Sequence, residues 1–208
     1  MSESWKKAAA TERFDAWSSE YEQGIWWRLF FKRLHDRLVS IIGDANGLAV
    51  LDIGCGTGAL LRRLADGGAA KLAGVDASEG MLAEARRLAG NRPIEFFYSP
   101  AHELPFEDGT FDVVTTNIAF HHFAEPAQVI REMARVLKPG GRVLICDLNG
   151  EGLGGRMMIA HGRRKGDLYH YTRREVERMM KDAGLRVESS RMVRRVPPAH
   201  LVEAVKPV

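Results

Sequence analysis

Two acids and three glycines carry the clearest chemistry in this chain. Val50-Leu-Asp-Ile-Gly-Cys-Gly-Thr-Gly58 is an apolar run that ends in Asp52 and then in glycines at 54, 56 and 58. Such a segment reads as a buried strand turning tightly into a helix. Glycine lets the backbone come close to a ligand, and a new helix offers N–H groups that lack an intrahelical acceptor. Asp76 stands 18 positions past Gly58, at the end of a second apolar run. A carboxylate there can accept from both hydroxyls of a ribose, so a nucleoside ligand is expected. A dinucleotide site prefers Gly-x-Gly-x-x-Gly, which lets a helix N-terminus hold pyrophosphate. Here the pattern is Gly-x-Gly-x-Gly, and Asp52 beside it would repel an anion and suit a cation or an ammonium group.

The elements that must position these residues alternate. Strand candidates lie at 48–53, 71–76, 93–98, 110–117 and 141–147, with helices at 58–66, 79–89 and 125–137 between them. Nearly all-apolar strands alternating with helices imply a parallel sheet covered on both faces. Residues 10–42 read as helical, with Trp27, Phe31, Leu34, Leu38 and Ile41 on one face and Arg28, Lys32, His35 and Asp36 largely opposite. Lys138-Pro-Gly-Gly141 forces a turn before the fifth strand. Residues 148–166 read as a glycine-rich flap with Met157, Met158 and the basic Arg163-Arg164-Lys165. Thr172 and Glu175 form a capping box for a further helix that ends at Gly184. Residues 185–193 and 200–205 then suit an antiparallel pair. The expected fold is one α/β domain over 1–208: a helical cap at 1–46, a ligand-binding core at 47–147, and a flap with sheet completion at 148–208. Its sheet is doubly wound, mostly parallel and seven-stranded, Rossmann-like, with a C-terminal antiparallel strand and N-terminal lid helices.

S-adenosylmethionine carries a sulfonium, an α-ammonium and a ribose but no phosphate, so the charge pattern favours it over NAD. Four ordered motifs lead to the same place. Val50–Gly58, Gly74-Val-Asp-Ala-Ser78, Leu104-Pro-Phe-Glu-Asp-Gly-Thr-Phe-Asp-Val-Val114 and Met133-Ala-Arg-Val-Leu-Lys-Pro-Gly-Gly-Arg-Val-Leu144 resemble the class I S-adenosylmethionine-dependent methyltransferases of small-molecule type (methyltransferase type 11). The nearest flavour is the ubiquinone/menaquinone-biosynthesis group. The resemblance spans about residues 48–147, and Tyr21 and Tyr171-Thr-Arg-Arg-Glu175 are weaker landmarks of it.

The resemblance implies roles. Gly54, Gly56 and Gly58, with Cys55 and Thr57 between them, would wrap the methionyl part of the cofactor, and Asp52 would sit near its amino group. Asp76 would hold the ribose, Ala77 and Met81 would flank the adenine, and Ala101 and His102 would meet its edge. Asn117 would face the reacting methyl, and Tyr21 would close from the cap. One position departs from the pattern. Pro100 stands where similar sequences carry an acid, and it offers neither a carboxylate nor an N–H, which leaves His102 or Glu103 to replace that contact.

His121 and His122 follow the fourth strand at the mouth of this site. A histidine there could deprotonate an acceptor or orient it; it could equally pack beneath the cofactor. Adjacent histidines seldom converge on one ion, so no metal is expected. His161, Tyr169, His170 and Tyr171 are candidate substrate contacts from the flap. Trp26, Trp27, Phe30 and Phe31, interleaved with Arg28, Lys32 and Arg33, suit a lid helix better than a membrane-surface helix by their periodicity. Trp17 and Tyr21 would belong to the same lid.

Composition bounds the alternatives. The 208 residues are 45% hydrophobic and 27% charged, ordinary for one globular domain. No apolar run is long enough to span a bilayer, and the first residues lack a signal-peptide core. Cys55 and Cys146 give neither a disulfide framework nor metal spacing, so a cytoplasmic protein is expected. Residues 148–208 hold 13 Lys+Arg against 7 Asp+Glu, whereas 1–147 hold 17 against 20. That basic third suits an anionic small molecule or simply a solvated face. Asn117-Ile-Ala-Phe120 lacks the prolines of amino-directed base methyltransferases, and no Pro-Cys pair appears, so nucleic acid is not an expected partner. The expected reaction is methyl transfer from S-adenosylmethionine to a small-molecule nucleophile, with S-adenosylhomocysteine as product. A lipid or quinone-precursor methyltransferase at a membrane surface, a non-catalytic S-adenosylmethionine-binding module and an NAD(P)-dependent oxidoreductase are the other readings. Oligomeric state is not legible.

Overall fold

Apolar runs of the kind at Val50–Ile53 have no solvent face, so they must pair inside a sheet and be covered twice. The computed structural model describes residues 14–16, 18–24, 31–148, 171–195 and 198–208. Seven strands form one sheet: β1 (Ala49–Ile53), β2 (Lys71–Asp76), β3 (Ile94–Tyr98), β4 (Phe111–Asn117), β5 (Leu137–Leu148), β6 (Arg186–Arg195) and β7 (Pro198–Val205). Their order is β3-β2-β1-β4-β5-β7-β6. All neighbouring pairs are parallel except those of β7, which runs antiparallel to both β5 and β6. The expected doubly wound sheet with one C-terminal antiparallel strand is the observed one.

Among the described residues, five helices of eight or more residues cover it: α1 (Lys32–Ile42), α2 (Ala59–Asp66), α3 (Glu79–Ala89), α4 (Pro126–Val136) and α5 (Arg173–Asp182). Strand side chains alternate between faces, and the core divides accordingly. Leu51, Ile53, Val75, Val114 and Ile145 pack against Ile130 and Met133 of α4 and Val176 and Met180 of α5. Val50, Leu72, Val113 and Leu144 pack against Leu34 and Leu38 of α1, Leu60 and Leu64 of α2, and Leu82 of α3. Distant strands also finish the helix ends. Arg142 of β5 donates to the Ile41 and Ile42 carbonyls that close α1, at 3.3 and 2.8 Å. Lys206 donates to the Ala134 and Leu137 carbonyls at the end of α4, at 2.8 Å each. A cation at a helix C-terminus satisfies carbonyls that have no N–H of their own.

β1 lies between β2 and β4, so β2 and β3 are laid down on one side of it and the later strands on the other. The crevice beyond the carboxyl ends of β1 and β4 is the place where such sheets hold ligands.

Three expectations need correction. The helix expected over 10–42 is divided: Phe14–Ala16 is helical, Ser18–Gln23 is a 3-10 helix, and α1 begins at Lys32. His35 does not face away from the core; α1 buries Leu34, His35, Leu38 and Ile42. The fifth strand starts early, because Phe111 pairs Leu137 directly while Val113 pairs Arg142, so residues 138–141 are accommodated as an irregularity within the strand pair. The capping box at Thr172 is formed, with Glu175 accepting from the Thr172 N–H at 2.7 Å. Trp17, Trp26, Trp27, Arg28 and Phe30 lie outside the described residues, as do Met157, Met158, His161, Arg163-Arg164-Lys165, Tyr169 and His170 of the expected flap.

Candidate functional site

The glycine turn is tied to β2 and open toward the crevice. The N–H groups of Gly54 and Cys55 both donate to the Val75 carbonyl, at 2.8 and 3.0 Å. Gly54 has φ 69°, and a side chain there would place its Cβ 2.5 Å from the Ala119 Cβ. Gly56, at φ 53°, has nothing within 4 Å of that position, so its backbone edge faces open space.

Two carboxyls, buried Asp52 and half-buried Asp76, meet this turn from the ends of β1 and β2. Asp76 accepts from the Gly56 N–H at 2.8 Å and the Ser78 N–H at 2.9 Å. Burial pushes its pKa above the usual range and those N–H groups pull it back, leaving it raised. Asp52 is more extreme. It is 2% exposed, and its Oδ1 has no hydrogen-bond partner among the described residues. Burial, and then the charge of Asp76, raise its pKa well above the ordinary carboxylate value. Asn117, at the end of β4, is likewise buried, and neither of its amide atoms has a partner among the described residues. Buried polar groups in folded proteins are nearly always satisfied, so orphans gathered at one crevice mark a place shaped for a ligand.

The turn after β4 is held under strain. Ile118 sits at φ 56°, a left-handed conformation unfavourable for a β-branched residue, and its N–H donates to the Cys146 carbonyl at 2.9 Å. A short 3-10 turn follows at Phe120–His122. The opposite wall is the loop after β3. Glu132 of α4 accepts from the Leu104 N–H at 2.8 Å, and Arg135 donates to the Phe106 carbonyl at 2.7 Å. Residues 104–106 of that loop are thereby fixed against α4.

The cap is fastened by carboxylates. Asp15 accepts from the Ser78 hydroxyl and, at 2.9 Å, from the Gly80 N–H, at the start of α3. Glu22 accepts from the Thr57 hydroxyl at 2.5 Å and from the Arg62 guanidinium, at the start of α2. Acids at helix N-termini complement the unpaired N–H groups and the dipole there. Between these two anchors lies Tyr21, whose phenol burial, and then the charge of Asp76, push up. His35 meets the Phe31 carbonyl through Nδ1 at 2.9 Å; burial lowers its pKa to about 4 and keeps the ring neutral.

One cavity collects nearly all the residues singled out from sequence. Tyr21, Asp52, Gly54, Cys55, Gly56, Thr57, Asp76, Ala77, Met81, Ala101, His102, Asn117 and His122 line it. Gly58 and His121 do not. Gly58 is the left-handed N-cap of α2, where a Cβ would meet the Phe96 ring at 2.9 Å, so its role is conformational. His121 turns into the protein toward Asp147. Of the two residues expected to offset Pro100, His102 lines the cavity, whereas Glu103 is exposed. Sequence reasoning missed Phe14, His35 and Phe123 in the lining and the anchors Asp15 and Glu22. The carboxylate of Glu22, next to Tyr21, was the one local signal available. Cys55 and Cys146 are free and buried.

Comparison with known proteins agrees with this geometry. Residues 51–145 match the family model described as a methyltransferase domain. The demethylmenaquinone methyltransferase of Clavibacter sepedonicus is 44% identical over 109 residues, covering 52% of this chain and 44% of that protein. The chain is thus similar to methyltransferases over residues 51–145. It spans about half the length of the curated relatives it matches. Among solved structures, magnesium protoporphyrin IX methyltransferase from Synechocystis PCC 6803 with bound SAH has a TM-score of 0.78 at 23% identity, covering 97% of this chain and 99% of that one. A chain from the complex between the Haloferax volcanii Trm112 methyltransferase activator and a methyltransferase reaches 0.83 at 24%, covering 94% and 98%. At these identities the likeness is one of fold. Among the described residues, no helix is long and apolar enough to cross a membrane.

Proposed function

We propose that this chain binds S-adenosylmethionine in the cavity between β1, β2 and β4 and transfers its methyl group to a small-molecule nucleophile. The observation that carries the reading is the pair of unsatisfied groups, Asp52 Oδ1 and the Asn117 amide, beside an open glycine turn. A cationic amino acid head fits that set, whereas a pyrophosphate would face two carboxyls with raised pKa and no basic side chain among the lining residues other than histidines.

In this reading Gly54, Cys55, Gly56 and Thr57 wrap the methionyl part, and Asp52 and Asn117 receive its polar end. Asp76 keeps its two backbone bonds and accepts ribose hydroxyls with its remaining lone pairs. Ala77, Met81, Ala101 and His102 surround the adenine, and Tyr21 closes over the ribose. The bound cofactor supplies an electrophilic methyl on sulfur. What the chain contributes is alignment of the acceptor with that methyl and exclusion of water under the cap. The demethylmenaquinone relatives favour an aromatic or quinone-like acceptor for this chain also. The free buried cysteines suit a reducing compartment, consistent with the cytoplasm.

Calorimetry of the full chain with S-adenosylmethionine, S-adenosylhomocysteine and NADH tests the cofactor. Saturable binding of the first two and none of NADH is the expected result, and the reverse would overturn it. Incubating labelled S-adenosylmethionine with metabolite extracts then finds the acceptor.

A further inference from the structure

The cavity wall that follows β3 has already used most of its polar groups. The Ser99 N–H donates to the Asp76 carbonyl at 3.2 Å, so the wall at residues 100–102 begins beside the strand end that carries Asp76. The Ser99 hydroxyl donates within the loop, to the Glu103 carbonyl at 2.6 Å. The Pro100 carbonyl accepts from the Glu103 N–H at 3.2 Å, and proline has no N–H of its own. Glu103 is exposed and outside the cavity lining. Glu132 of α4, on which the charge of His102 acts, accepts from the Leu104 N–H and from the Arg135 guanidinium.

Two groups remain on this wall. They are the Ala101 N–H and the half-buried imidazole of His102, and neither makes a hydrogen bond among the described residues. Ala77 and Met81 line the same cavity from the end of β2 and from α3. A base attached to a ribose at Asp76 therefore meets apolar atoms on its faces and only these two groups at its edge.

That edge decides which purine is accepted. Adenine offers an amino donor at position 6 and an acceptor at N1; a 6-oxo purine offers an acceptor at position 6 and a donor at N1. A carboxylate only accepts, so it selects the amino form. A neutral imidazole has one donor and one acceptor nitrogen, and a turn of the ring or a change of tautomer exchanges them. The Ala101 N–H finds an acceptor in either purine, N1 of the first or the 6-oxygen of the second.

We propose that His102 reads the base edge, and that the site takes 6-oxo purine nucleosides of the S-inosyl type as well as S-adenosyl ones. The proposal rests on the S-adenosylmethionine reading above. A buried, fixed partner that the wrong ligand leaves unpaired can give about ten-thousandfold rejection. Half-buried His102 adapts to either ligand and stays open to water, so no such penalty arises.

Calorimetry of the full chain with S-adenosylhomocysteine and S-inosylhomocysteine tests it. Failure of S-adenosylhomocysteine to bind would defeat the cofactor reading itself. With that ligand bound, S-inosylhomocysteine should bind within about tenfold of it. His102→Asp supplies a fixed acceptor and should shift the ratio about tenfold or more toward S-adenosylhomocysteine, with His102→Glu as a second geometry. His102→Ala should weaken both ligands by a similar factor. Glu125, the other carboxyl ahead of α4 in the lining, serves as the control, and Glu125→Gln should leave the ratio unchanged. Native discrimination beyond about tenfold, a ratio that both acidic His102 variants leave unmoved in protein that melts like the native chain, or a ratio that follows Glu125→Gln instead would each overturn the proposal.

Discussion

Asp52→Asn should make the empty protein more stable and the cofactor site weaker. In the native chain Asp52 is buried, its Oδ1 meets no partner among the described residues, and burial and then Asp76 raise its pKa well above the ordinary value. A carboxyl whose pKa is raised on folding subtracts stability as pH climbs from its unfolded value through its folded one, because the native state resists giving up the proton. Asparagine never ionises, so that loss disappears. An unsatisfied charged group costs about 1–3 kcal/mol or more, and about 1 kcal/mol of relief moves Tm by roughly 2–4 °C in a chain of this size. The gain should be largest above neutral pH and vanish below about pH 4, where Asp52 is protonated in both states. Binding moves the opposite way. A charge-assisted hydrogen bond contributes about 1.5–3 kcal/mol, so S-adenosylmethionine should bind about 10–100-fold more weakly to Asp52→Asn. In the native chain binding expels the Asp52 proton, so affinity should rise with pH by up to about tenfold per unit until the free group is already ionised, then level off. The variant should lack that slope. Thermal melts across pH and calorimetry in two buffers of different ionisation enthalpy read both halves. A variant that melts below the native chain at about pH 8 and keeps its affinity and pH slope would refute the reasoning.

Asp76→Ala should weaken S-adenosylmethionine binding about tenfold or more and also free the Gly56 N–H, so calorimetry should show lost affinity that NADH does not recover. Gly54→Ala adds a Cβ 2.5 Å from Ala119 at a positive φ, and should cost about 2 kcal/mol or more, read as a falling Tm in denaturation. Glu22→Gln weakens the anchor on Thr57 and Arg62, and should speed cofactor release by about tenfold in a displacement assay with little change in Tm. An unchanged release rate would place the cap outside the binding process.

Much of the fold was legible because its signals are local. Helix α3 lies where the sequence placed it, at Glu79–Ala89, started by the Ser78 side chain accepting from the Met81 N–H. The capping box of Thr172 and Glu175 is complete within four residues. The glycines at 54, 56 and 58 all take positive φ, as a strand-to-helix turn demands. Failures fell where one side chain's environment comes from elsewhere in the chain. His35 looked polar on a helical wheel, yet α1 buries it and the Phe31 carbonyl accepts it. Asp15 and Glu22 reach Ser78 and Thr57 across 63 and 35 positions, a span that no local pattern records.

The amino-acid sequence by itself determined the succession of strands and helices, the turn between β1 and α2, and the two acids that flank it. Periodicity, glycine's freedom at positive φ and the clash of an acid with phosphate act within a few residues, so they can be read in one dimension. The tertiary structure alone decided which groups share the cavity. It set Asp52 against Asp76 in a place whose burial raises both, brought the cap's carboxylates onto two helix N-termini, and put adjacent histidines in different surroundings. His121 was taken by a carboxylate 26 positions away, and His122 was left facing the site. Charge, burial and hydrogen bonding act through space, and only the fold assigns their distances.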